Sequence, residues 1–173
     1  MRRKRASTAE AQNILDELNS LSEDLVLGVD SGSHVSVIPP QTARGYPVKK
    51  DKFVGRAYHT ATDQSVKDEG KKSVVGFPMD TGSPAGYQSD PLRLPLPIAK
   101  VKRGLLSVCE MVDSGHRVVF DRDEMGNDTS HILHKGTRRF VPFRREGRNW
   151  QLVMKVVPHR EAQTPFRGQG HRP

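Results

Sequence analysis

Three aspartates in this 173-residue chain are followed by a hydroxyl residue and then glycine: Asp30-Ser31-Gly32, Asp80-Thr81-Gly82 and Asp113-Ser114-Gly115. Such residues could support general acid–base chemistry by paired carboxylates. Two aspartates close enough to share a proton can activate a water while protonating a carbonyl oxygen, which is what cleavage of an amide requires. Each aspartate must be held rigidly for this. A strand before it supplies rigidity, the hydroxyl can bond neighbouring backbone, and glycine lets the turn close tightly.

The surroundings separate the three. Asp30 follows the apolar run Leu25-Val26-Leu27-Gly28-Val29 and precedes a second one, Val35–Ile38. Asp80 lies in residues 78–91, where Pro78, Pro84 and Gly86 make a long loop and no strand holds it. Asp113 follows Leu105–Val112, in which Leu105, Val108, Cys109 and Val112 share one helical face, and Gly115 stands where a left-handed C-cap belongs. That tripeptide reads as a helix stop. Asp30 is the surviving candidate, with an Asx turn between two strands as its structural alternative.

The elements that must position Asp30 form an all-β pattern with one short helix in the second half. Ser7 or Thr8 can cap an N-terminal helix bearing Ile14, Leu15, Leu18 and Leu21, with Glu10 completing a capping box. Strands are expected over Leu25–Val29 and Val35–Ile38, the latter stopped by Pro39-Pro40, with a surface loop over 41–52. Phe53–Thr62 and Lys72–Phe77 read as strands around a polar hairpin-like connection, Asp63–Gly70. Leu92–Val101 alternates with period two, but Pro95 and Pro97 confine it to an edge. His116–Phe120, Ile132–Leu133, Arg138–Phe143 and Asn149–Val157 supply the remaining strands. The division expected is a basic N-terminus and helix over 1–24, one domain over 25–157 and a disordered tail over 158–173.

Composition narrows the classes. No apolar run reaches the roughly 18–20 residues of a membrane helix, and the basic start lacks the apolar core of a secretory signal. One cysteine excludes an internal disulfide framework. An intracellular setting, cytoplasmic or nuclear, is therefore expected. The net charge of +8 invites a nucleic-acid reading, but the basic residues are scattered and ten aromatics form no stacking series among them. Weak RNA contact through the basic termini is the expectation that follows. His34 reads as a strand or rim residue, His131 and His134 as surface residues without an acidic or cysteine partner, and Cys109 as a small core residue. No metal and no cofactor are expected.

From about Leu25 to Leu152 the chain resembles the protease region of copia-type retrotransposons, and more broadly the retropepsin-like aspartic proteases. The resemblance rests on Val-Leu-Gly-Val-Asp30-Ser31-Gly32-Ser33, on the polar hairpin of residues 60–70, on residues 101–120 with their late strand, short helix and following strand, and on residues 135–153 as a closing hairpin. It implies a retropepsin-like acid-protease barrel and a homodimeric endopeptidase that hydrolyses a polypeptide substrate. Asp30 would be the catalytic carboxylate, one from each copy, with Ser31, Gly32 and Ser33 forming the active-site turn. Ser31 would lock that turn across the dimer. Thr60, Ala61, Thr62, Asp63 and Gln64 would lie in a flap over the substrate. The alternative is a catalytically inactive binding module of the same fold, contacting protein or RNA through basic segments.

Overall fold

The computed structural model describes residues 23–59, 64–79 and 91–163. The expected N-terminal helix and Asp80 lie outside the described residues. Within them the protein is mainly β, and no closed barrel forms. Three sheets are present instead. The largest contains β1 (Asp24–Asp30), β4 (Lys71–Pro78), β5 (Leu92–Pro97), β6 (Gly104–Ser107), β10 (Arg144–Glu146) and β11 (Asn149–Val156). Its order is β5-β4-β11-β1-β6, with β10 paired to β11. β2 (Ala57–His59) and β3 (Ser65–Lys67) form a hairpin, and β7 (His116–Val119), β8 (His131–His134) and β9 (Phe140–Pro142) form a three-stranded sheet.

β1 takes its central place because its side chains alternate. Leu25, Leu27 and Val29 are buried, while Val26 and Asp24 face out. β11 flanks it antiparallel, with Leu27 opposite Leu152, and β6 flanks it parallel, with Asp30 opposite Ser107. The core lies beneath, where Leu25, Leu27, Leu96, Leu106, Leu152 and Met154 meet Ile132, Val141 and Phe143 from the region of the smaller sheet. β5 takes an edge, as its prolines require, and pairs with β4.

Several expectations change. The apolar face over Leu105–Val112 is not one helix. Leu105 belongs to β6, and the helix α1 runs only from Val108 to Asp113. The shift rotates the face: Val108 and Met111 pack against the core, whereas Cys109 is exposed and is not a core residue. Gly115 does take the left-handed conformation past the helix, at φ +85. Val35–Ile38 makes no full strand. It contributes two single bridges, Val37 to Leu105 and Ile38 to Ile98, which tie the β6 side of the sheet to the end of β5. The pairing strand of the hairpin, β3, falls inside the stretch expected to be connection, because Asp51–Gly55 turns rather than extends. The folded unit also runs past 157. A second short helix, α2 (His159–Ala162), buries Ala162 in the core and accepts a hydrogen bond from Arg93 at its carbonyl, 3.1 Å away.

Candidate active site

Asp30 ends β1 on the outward side of the alternation and is half-buried. Its Oδ1 accepts the N–H of Gly32 at 2.8 Å, which is the Asx turn that stands as the structural alternative for this residue, and Ser31 and Gly32 are exposed. Beyond the turn, Ser33 Oγ donates to the carbonyl of Val35 at 2.7 Å.

A buried set of hydroxyls fastens this turn to the junction of β6 and α1. Ser107, fully buried, donates from Oγ to the carbonyl of Ser33 at 2.6 Å. Its N–H donates to Ser36 Oγ at 2.9 Å, and the N–H of Ser36 donates to Glu110 Oε2 at 2.9 Å. Ser107 is also the N-cap of α1 and accepts the N–H of Glu110 at 3.3 Å. In a capping box, Glu110 would return a bond to the N–H of Ser107. Here the two partners are exchanged across the chain: Ser36 receives the Ser107 N–H and gives its own to Glu110. Sequence reasoning missed Ser36, Ser107 and Glu110. The signal available was Ser107-Val108-Cys109-Glu110, which has the spacing of a capping box.

A cleft of about 690 Å³ runs along the open face of β1 from Asp30. Gly28 and Leu105 line it beside Asp30, and Phe120 and Trp150 also border it, their rings 5.4 Å apart and edge-on. The other carboxylates of the cleft, Glu23 and Asp24, lie at the far end of β1. Asp24 is six residues from Asp30, roughly 20 Å along an extended strand.

Of the expected flap residues, Thr60, Ala61, Thr62 and Asp63 lie outside the described residues. Gln64 immediately precedes β3. The β2–β3 hairpin does not line the cleft beside Asp30. Its base is held by Asp68, which is buried and accepts both the Tyr58 hydroxyl and, at 2.7 Å, the N–H of Gly70. Burial, that hydrogen bond and the Asp68 charge hold the Tyr58 phenol above its ordinary range. Asp113 closes α1 at the surface. His34 is exposed, while His131 stacks on Phe140 and His134 Nδ1 accepts the N–H of Thr137 at 3.0 Å. Among the described residues no group of three or more His, Cys, Asp or Glu could hold a metal ion. No helix there is long and apolar enough to cross a membrane.

No protein-family model, curated protein or solved structure matches the chain.

Proposed function

We propose that this chain is an aspartic endopeptidase of the retropepsin-like, retrotransposon type. The observation that carries the reading is the setting of Asp30: a carboxylate at the end of a central strand, beside a turn braced by a buried hydroxyl network and open to a cleft. Further support comes from the strands around it. β6 lies parallel to β1, and the segment that follows the Asp30 turn returns antiparallel along the other side of β6 through Val37. A short helix then follows β6, in the order the resemblance implies.

One such carboxylate per chain calls for a second copy. In a homodimer the two Asp30 groups share one proton. The ionised carboxylate takes a proton from water as the water oxygen attacks the peptide carbonyl carbon, and the protonated one gives its proton to the carbonyl oxygen. Collapse of the tetrahedral intermediate breaks the C–N bond and returns a proton to the departing amine. As the resemblance implies, Ser31, exposed at the turn, would bond across the dimer, and the connection between β2 and β3, which does not line the cleft in the single chain, would have to close over the substrate.

The test is peptide cleavage at mildly acidic pH by purified chain, followed by mass spectrometry. Asp30→Asn should abolish every cleavage and leave peptide binding intact. Cleavage that survives Asp30→Asn, or wild-type chain that cuts no peptide, overturns the reading. The second outcome leaves a binding module.

A further inference from the structure

We infer that the cleft beside Asp30 selects extended peptide segments in which acidic side chains flank a large apolar residue; the choice of peptide as occupant rests on the peptidase reading. Three cations line this cleft: Lys102, Arg103 and Arg148. None takes part in a hydrogen bond, ion pair or ring contact among the described residues. Register fixes where they stand. Leu27 is opposite Gly104, so Arg103 lies alongside Val26, while Gly28 is opposite Gln151, so Arg148 lies beyond Asp30. The two cationic ends therefore lie toward opposite ends of β1.

Between them the floor is low and apolar. Gly28 offers no side chain, and a Cβ there would stand 3.3 Å from Leu105 Cδ2. Val26, 44% exposed, lies next to this hollow on the same face of β1. A large apolar side chain resting over Gly28 would cover apolar surface that the fold leaves open. Acidic side chains to either side would then reach unpaired cations.

Discrete carboxylates fit this cleft better than a nucleic-acid backbone. Glu23, Asp24 and Asp30 also line it, and a continuous run of phosphates would be forced against them. A peptide can set its acidic residues at the two cationic ends and leave uncharged ones between.

The experiment uses full-length Asp30→Asn chain and two synthetic peptides that differ only in Glu or Lys around a central Leu. Trp150 is the single tryptophan and lines the cleft, so its emission reports binding. Exposed pairs contribute about two- to fivefold each, so two engaged ends give about tenfold tighter binding of the acidic peptide at low salt, shrinking as salt rises. Lys102→Glu with Arg103→Glu should remove most of that preference. Arg117→Glu with Lys135→Glu lowers the net charge equally on the three-stranded sheet and should preserve it. Equal binding of the two peptides, an equal loss in the control variant, or an RNA homopolymer that perturbs Trp150 where neither peptide does, overturns the inference. Wild-type chain provides the separation. Asp30-dependent cleavage without charge preference sinks the selectivity and keeps the peptidase; charge-selective binding without cleavage does the reverse.

Discussion

Asp30 is aimed by a single bond from Gly32 N–H, so its orientation depends on how firmly the rest of the turn is held. Ser107 does most of that holding, since it contacts Ser33, Ser36 and Glu110 at once without any exposed surface. Replacing a buried hydroxyl of this kind leaves a carbonyl and an N–H without their partner. Ser107→Ala should lower unfolding free energy by about 1–3 kcal/mol in urea titration, the sum expected for a lost buried bond and a lost cap. Ser114→Ala, at the exposed end of the same helix, should cost far less. His116 makes a second prediction at this scale. Desolvation lowers its imidazole below the ordinary value, the Met111 carbonyl opposes that, and His134 adds to the lowering. The unfolded chain therefore binds more protons just below about pH 6.5, so stability rises with pH through that window and is lost as pH falls. Denaturant midpoints measured from pH 7 down to 5 should fall less steeply in His116→Asn than in wild type.

At the scale of elements, the parallel contact of β1 and β6 depends on Gly104. A Cβ there would stand 2.7 Å from Leu27 Cδ2 and 3.2 Å from the carbonyl of Val26, and Leu27 is fully buried with nowhere to move. Gly104→Val should cost about 1–3 kcal/mol by overpacking, and it should carry Asp30 off its position opposite Ser107. Thermal melting and hydrogen exchange along β1 would show this; an unchanged melt would mean that the two strands can separate without loss. The β2–β3 hairpin behaves differently because it joins neither larger sheet and is held at its base by Asp68. Tyr58→Phe removes one of the bonds to that carboxylate. Amides of β2 and β3 should then exchange faster while the global midpoint moves little, as expected of a local opening.

For the molecule as a whole, the peptidase reading makes activity a property of two chains. Total cleavage rate should vary with the square of chain concentration below the dimer dissociation constant, so that the rate per chain falls in proportion on dilution, with sedimentation showing the monomer over the same range. A rate strictly proportional to concentration, from a species that sediments as a monomer, would show that one Asp30 suffices and would end the paired-carboxylate mechanism. The open face of β1, with its cleft and unpaired cations, is exposed in a single chain. Binding of an acidic peptide should therefore persist, more weakly, where cleavage has already been lost to dilution.

Some of this was legible in local pattern alone. The apolar run Leu25–Val29 marks a strand, Asp30-Ser31-Gly32 marks the turn that ends it, Gly115 marks the end of a helix, and Pro95 with Pro97 mark an edge strand. Each follows from the backbone preferences and side-chain period of a few neighbouring residues, which any sequence displays. What tertiary structure decided was partnership. Nothing near Asp30 shows that β1 lies between β6 and β11, or that the N–H of Ser36 reaches Glu110 across 74 positions. Nor does a helical pattern over Leu105–Val112 reveal that β6 claims Leu105, turning Cys109 outward. A short apolar run satisfies strand and helix alike until a neighbouring strand offers hydrogen bonds. The residues that can do chemistry were set by sequence; the company that holds Asp30 in place, and the cleft with its unpaired cations, came from segments that only folding brings beside it.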